Sequence, residues 1–335
     1  MLIWLLIITV VLSFTGTFII IKVAHEKNIL DIPNVRSSHS VPTPRGGGLA
    51  IALTWYLGLC GLRYLDLIES HLFYALISGS VLAVVGLLDD LISLKPWIRI
   101  LFQVFTVTTG LYFINGFNSI YLSNNEFSMP VIFTIIALIG AVWFINLFNF
   151  MDGIDGYASV EAILVASCMY LITKNPVFLI LIVSVFGFLV WNWPKAKIFM
   201  GDIGSTQLGY ILVILGIYFN NNHELTIFGW MTLTSLFWID ASLTLFRRWR
   251  NKEKLSQAHK KHAYQRIVQF GFSHKKTIII SIFINLLFIL FVLFSERFHP
   301  GYLITIPLCI LINYLIIKYI DTKFPFRINT LSQKS

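Results

Sequence analysis

The sequence predicts an all-α, polytopic membrane protein of about eleven transmembrane helices, with ten as the alternative count. Three observations predict it. Of the 335 residues, 57% are hydrophobic and 12% charged, whereas a soluble domain carries roughly 25% charged residues. The apolar residues form long runs, near the roughly 20 that a hydrocarbon core of about 30 Å requires of a helix. The runs do not alternate strictly, which excludes a transmembrane barrel and leaves the helix, which satisfies its own backbone in lipid.

Eleven segments carry this pattern: 2–21, 46–64, 71–88, 97–115, 130–148, 157–173, 176–192, 205–219, 227–246, 276–294 and 301–319. The first has neither a basic leading region nor a small-residue cleavage site, so it reads as a retained helix. Pro42 and Pro44, Pro96, Asn115-Gly116, Pro130, Asn175-Pro176, Asn220 to Asn222 and Pro300-Gly301 punctuate the rest. No repeat, low-complexity tract or long linker divides the chain, so residues 1–335 are expected to form one integral membrane domain. Cys60, Cys168 and Cys309 lie inside apolar runs without CxxC spacing and read as small packing residues.

Basic residues set the orientation. With the N-terminus outside and the C-terminus cytoplasmic, segments 22–45, 89–99, 149–156, 193–204, 247–276 and 318–335 hold 22 of the 25 Lys and Arg residues. Arg63, Lys174 and Arg297 fall on the other side. This follows the positive-inside rule. It also accounts for the +9 net charge, so the expected surroundings are membrane lipid, and no nucleic acid is called for.

The informative carboxylates gather on the same cytoplasmic side. Asp89-Asp90 close the third span, and Asn149-Phe-Met-Asp152-Gly-Ile-Asp155-Gly follows the fifth. Phe199-Met-Gly-Asp202-Ile-Gly-Ser205 leads into the eighth, and Asp240 lies inside the ninth. Spans three and five run inward, so these acids sit at helix C-termini, where a carboxylate is disfavoured by roughly 0.3–1 kcal/mol. A divalent cation with basic side chains nearby would relieve them. Mg2+ suits the task, because it takes one or two carboxylates and completes its octahedron with phosphate oxygens and water. Asp202 also fits an N-cap, and Asp240 within a span costs about 2.5–3.5 kcal/mol to insert, which points to function. Each acid has a bland reading as a solvated helix end, a Gly-rich turn or a cap. Convergence on one face is what those readings leave unexplained.

Lys95 and Arg99 follow Asp89-Asp90 across Pro96, which reads as the first turn of the fourth span. Contact with a diphosphate and ordinary positive-inside anchoring suit them equally. Arg45-Gly46-Gly47-Gly48 permits close backbone approach. The longest cytoplasmic loop, 247–276, holds His259-Lys-Lys-His262-Ala-Tyr-Gln-Arg266. As a plain basic loop it would attract anionic lipid at about 1 kcal/mol per charge. Zinc binding by the two histidines lacks a third ligand. Dense hydrogen-bond donors for a sugar or phosphate are the preferred reading.

At these residues the sequence resembles the polyprenyl-phosphate N-acetylhexosamine-1-phosphate transferases, glycosyltransferase family 4, relatives of the phospho-MurNAc-pentapeptide translocase. The matching elements are Asp89-Asp90, the Asn149 to Gly156 run, the Phe199 to Ser205 run and the His-bearing loop, in family order over roughly residues 30–270. The loop lacks the translocase's adjacent histidines. With Arg36-Ser-Ser-His39-Ser-Val-Pro-Thr-Pro44-Arg45-Gly-Gly-Gly48 it looks like the bacterial branch that initiates O-antigen or other surface polysaccharides, which disfavours a muropeptide substrate. The resemblance implies transfer of a sugar-1-phosphate from a UDP-N-acetylhexosamine to undecaprenyl phosphate, with UMP released, on the cytoplasmic face of a bacterial inner membrane. It implies Asp89, Asp90 and Asp152 as the catalytic acids, and Mg2+ (or Mn2+) on Asn149 and Asp202. It places Asp155 and Phe199 beside the uracil, and Arg45, Lys95, Arg99, His259, His262 and Arg266 on phosphate or sugar; a homodimer is compatible with it. Two other classes explain less. A flippase for lipid-linked sugars predicts midplane ionisable groups and inverted repeats, and a membrane scaffold leaves the acidic motifs without a cause.

Overall fold

The computed structural model describes residues 1–33, 41–122, 125–255, 257, 259–298 and 301–326. Every apolar segment is helical. The helices are α1 (Leu2–Glu26), α2 (Gly48–Tyr64), α3 (Ser70–Ser78), α4 (Ser80–Ile92), α5 (Pro96–Phe113), α6 (Pro130–Phe150) and α7 (Tyr157–Thr173). They continue as α8 (Val177–Asn192), α9 (Gly201–Asn221), α10 (Ile227–Leu233), α11 (Ser235–Arg250), α12 (Ala263–Gln269), α13 (His274–Arg297) and α14 (Tyr302–Lys323). The all-α class holds. Two short antiparallel ribbons occur, β1 (Leu30–Asp31) with β2 (Thr43–Pro44) and β3 (Ser119–Leu122) with β4 (Asn125–Ser128).

Among the described residues, six stretches are long and apolar enough to cross a membrane: α1, the α3–α4 pair, α6, α9, α13 and α14. Helices α7 and α8 are shorter and equally apolar. Large apolar side chains such as Ile3, Trp4, Val131, Ile139 and Ile304 face outward, as lipid-facing surfaces do. The chain is a multi-pass, helical membrane protein.

Helix α9 is the axis of the bundle, with 94% of its span buried, and α2, α4 and α6 pack directly on it. Small residues permit this closeness, as they do between membrane helices generally. A side chain on Gly48 would overlap the Gly204 backbone, and one on Gly86 would overlap Ile203. Polar side chains of α9 bond across the bundle: Gln207 donates to the Tyr56 hydroxyl at 2.6 Å, and Tyr210 donates to the Ala75 carbonyl at 2.7 Å. That last bond takes up a carbonyl just before Gly79, where α3 gives way to α4. Hydroxyl insertion into the helical ladder is a recognised cause of such breaks. The sequence showed only a continuous run there.

Candidate active site

The site forms where α4, α6 and the segment before α2 meet the N-terminus of α9. Ser93 in the left-handed region ends α4, Lys95 is extended, and Pro96 opens α5, as its fixed φ favours. This sharp reversal places Arg99 back over Asp89, 2.9 Å from its carboxylate. The Leu94 amide also donates to Asp89, at 2.6 Å.

Asp90 serves a different partner. Its carboxylate accepts the Asp202 amide at 3.0 Å and the Ile203 amide at 3.5 Å, so it caps α9 from outside that helix. The expected N-cap role of Asp202 is thereby corrected. Helix α9 begins at Gly201, and Asp202 lies within its first turn, where the macrodipole favours a negative charge. Gly201 has φ +75, and a side chain on it would overlap the Asp90 carboxylate. Only glycine fits there, because the cap must approach the backbone so closely.

Two arginines bridge the acids. Arg45 lies 2.9 Å from Asp90 and 3.0 Å from Asp202, and Arg99 lies 3.1 Å from the other oxygen of Asp202. The glycine run explains how Arg45 arrives: the Gly47 and Gly48 amides donate to the Phe199 and Met200 carbonyls, and the Phe199 amide donates to the Pro44 carbonyl. These bonds zip the segment before α2 onto the segment before α9. Asn149, on the last turn of α6, accepts from Ser205 at 2.6 Å and contacts Asp202 at 3.4 Å.

Beside this cluster opens a cleft of about 280 Å3 that brings together Arg45, Asn149, Asp152, Asp155, Phe199 and Asp202. Asp155 accepts the Ala196 amide at 3.1 Å and faces His274 at 3.1 Å. Asn192 holds the turn in place, accepting from the Gly156 amide and donating to the Ile198 carbonyl. Asp152 makes no ion pair among the described residues, and burial, with Asp202 close by, pushes its carboxyl well above the usual range. Asp89, Asp90 and Asp202 thus share two guanidiniums, Asp155 faces His274, and Asp152 has no cationic partner among the described residues, which leaves a deficit of positive charge. All the oxygen donors are hard. No three His, Cys, Asp or Glu side chains among the described residues stand at metal-binding separations. These oxygen donors suit an ion such as Mg2+, which takes one or two side chains and completes its shell with substrate oxygens and water; Asp202, Asn149 and Asp152 are the residues that would hold it.

The loop residues lie elsewhere. His262 is 2% exposed, stacks with Tyr264 and stands against His259. Burial lowers His262 to about 3, with Arg248 and Arg266 adding to the effect. Burial followed by His262 lowers His259 to about 3. Arg266 is buried in an ion pair with Asp321 at 2.8 Å. None of the three borders the cleft. Lys95 is exposed at the start of α5, and Arg36 and His39 lie outside the described residues. The functional expectation for Asp240 is corrected as well. Its oxygens accept the Ala263 and Tyr264 amides and the Thr244 hydroxyl, so it caps α12 and anchors the loop. The sequence reading missed four polar cleft residues, Asp31, Asn192, Gln265 and His274. Asp31 arrives through β1–β2 pairing, and Gln265 and His274 sit on α12 and α13; only Gln265 lay in a motif already singled out.

Comparison with known proteins gives the family. The model of glycosyl transferase family 4 matches residues 72–220. The chain is 29% identical over 307 residues to the undecaprenyl-phosphate alpha-N-acetylglucosaminyl 1-phosphate transferase of Thermotoga maritima, covering 90% of this chain and 94% of that protein. It is 30% identical over 272 residues to the phospho-N-acetylmuramoyl-pentapeptide-transferase of Pelagibacter ubique, covering 64% and 73%. It is 28% identical over 289 residues to a Bacillus subtilis protein named "Probable undecaprenyl-phosphate N-acetylglucosaminyl 1-phosphate transferase", covering 81% and 78%. The matched region contains Asp89-Asp90, both remaining acidic motifs and α9, and the chain belongs to glycosyl transferase family 4, the family of polyprenyl-phosphate N-acetylhexosamine-1-phosphate transferases.

Proposed function

We propose that this protein transfers an N-acetylhexosamine-1-phosphate from its UDP-sugar to undecaprenyl phosphate and releases UMP, initiating O-antigen or a related surface polysaccharide. In this reading the bundle has eleven spans with the N-terminus outside, and the cleft faces the cytoplasm of a bacterial inner membrane. One observation carries the proposal: the acids of three separated motifs converge at the α9 N-terminus with too few cations to neutralise them. Such a site favours a ligand that arrives with a divalent ion. Mg2+ bound at Asp202, Asn149 and Asp152 would neutralise diphosphate charge.

The chain's own groups do the rest. Arg45 and Arg99 sit where they can exchange a carboxylate partner for a phosphate, in the bidentate geometry that guanidinium favours. Phe199 and Asp155 border the cleft and would hold the uracil. Positioning two anions for in-line attack is the main catalytic task. A phosphate monoester has a second pKa of about 6 and is already ionised at neutral pH, so the acceptor needs no strong base. A single displacement follows, in which the lipid phosphate oxygen bonds to the sugar-linked phosphorus as the bond to the UMP oxygen breaks. The test is UMP release from a panel of UDP-N-acetylhexosamines by purified protein. Release that requires both undecaprenyl phosphate and Mg2+ supports the proposal. No release from any donor by folded protein refutes it.

A further inference from the structure

Helix α14 is tied to α11 and α12 through a contact that the proposed chemistry does not use. Asp321, near its end, receives both guanidinium nitrogens of Arg247 at 3.0 and 2.7 Å, and Arg266 lies 2.8 Å from one of its oxygens. Arg266 also donates to the Phe324 carbonyl at 2.7 Å. The Phe326 ring lies 5.5 Å from each of Arg247, Lys261 and Arg266. An apolar seam runs beside this clasp, where Ala263 of α12 packs with Ile317 and Ile320 of α14. Arg266 is 4% exposed, and a buried guanidinium deprived of its carboxylate cannot hold its place cheaply.

Next to Arg266 on α12, Gln265 meets the cleft and Tyr264 ties the helix to the turn beside it. The Tyr264 hydroxyl donates to the Phe150 carbonyl at 3.0 Å, just before the Asp152 turn. Gln265 borders the cleft, and its Oε1 is buried without a hydrogen-bond partner. A buried acceptor left unmade is costly, and a hydroxyl or amide N–H of an incoming sugar nucleotide would satisfy it. We infer that Asp321 is a positioning residue for the cleft: by clamping Arg247 and Arg266 it fixes α12 against α14, and so holds Gln265 at the cleft wall and Tyr264 on the Phe150 carbonyl beside it. Asp321 lies outside the segment that matches the family model. The inference rests on reading the cleft as the UDP-sugar site.

Two measurements on the full chain test it. In Asp321→Asn, amide exchange within residues 263–269 accelerates while α9 stays protected, and unchanged exchange in α12 overturns the clasp whether or not the enzyme turns over. In turnover, Asp321→Asn raises KM for the UDP-sugar about tenfold and leaves KM for the lipid phosphate unchanged, and Asp321→Glu restores most of the loss. Combining Asp321→Asn with Gln265→Met does no more damage than the worse single change, as expected of groups acting through one contact. Multiplying effects, or equal losses for both substrates, overturn the inference. If Asp321→Asn does not accumulate as folded protein, Arg247→Gln opens only the outer half of the clasp and raises the same KM about threefold; no change there overturns it too. Absence of lipid-dependent UMP release by the wild type strikes the transferase reading and leaves the exchange experiment to decide the clasp.

Discussion

The α9 N-terminus and the loop after α11 are both crowded with charge, yet they treat it in opposite ways. In the loop, the buried charged side chains among the described residues find partners from the chain. Arg248 collects the Lys254 and Gln257 carbonyls and pairs with Glu253, Asp240 caps α12, and Arg266 pairs with Asp321. At α9, Asp89, Asp90 and Asp202 share two arginines, Asp155 faces His274, and Asp152 has no ion pair among the described residues. Density of charged residues does not mark a site. Unbalanced charge does, because burying it costs free energy that only a ligand can return.

The largest effect that would sharpen this contrast is at Asp202. Asp202→Asn keeps the shape and removes the charge that both arginines share, so turnover should fall about 10²- to 10³-fold with little change in melting temperature. Comparable activity in the variant would break the contrast. Asp90→Ala comes next and acts on stability: it removes the cap of α9 and a partner of Arg45, at about 1–2 kcal/mol, read as a lower midpoint in denaturation.

A smaller effect comes from the loop histidines through pH. Both sit at about 3 when folded against about 6.5 when unfolded. The unfolded chain therefore binds more protons between those values, and stability falls as pH drops below about 6.5 toward 3, by at most about 1.4 kcal/mol per pH unit per histidine. Asp240 does not offset this, since His262 Nδ1 is 4.0 Å away and the Asp240 oxygens are already engaged. His262→Phe should flatten the acid limb of a melting-temperature profile while changing turnover at pH 8 by less than the α9 variants do. Equal damage to turnover would give the histidine a substrate role. Smallest of all, exposed Lys95→Ala should change stability by less than about 1 kcal/mol, as a thermal melt would show.

What the sequence could reveal follows the same division. Helix positions, the Pro96 start of α5 and the glycine run before α2 were legible because local periodicity and backbone chemistry determine them. The cleft motifs were legible because their acids lie at helix ends. What stayed hidden depends on partners far along the chain. Asp90 caps a helix 112 positions away, Tyr210 reaches Ala75 at the α3–α4 break, and Arg266 meets Asp321. Asp240 misled for the same reason: an acid within an apolar run signals function until the amides that satisfy it are seen. Glu161, buried on α7 and receiving the Asn285 amide at 2.6 Å, is another intramembrane acid with a polar partner that no local pattern announces.

The central claim is that the α9 cleft is short of positive charge and takes its donor together with a divalent ion. The most direct measurement is UDP-sugar binding to purified wild-type protein by calorimetry, with Mg2+ and with a chelator, alongside Asp202→Asn. The account predicts binding with Mg2+, loss of at least about tenfold in affinity without it, and a much smaller Mg2+ dependence in the variant. Equal affinity in Mg2+ and chelator by the wild type would contradict it.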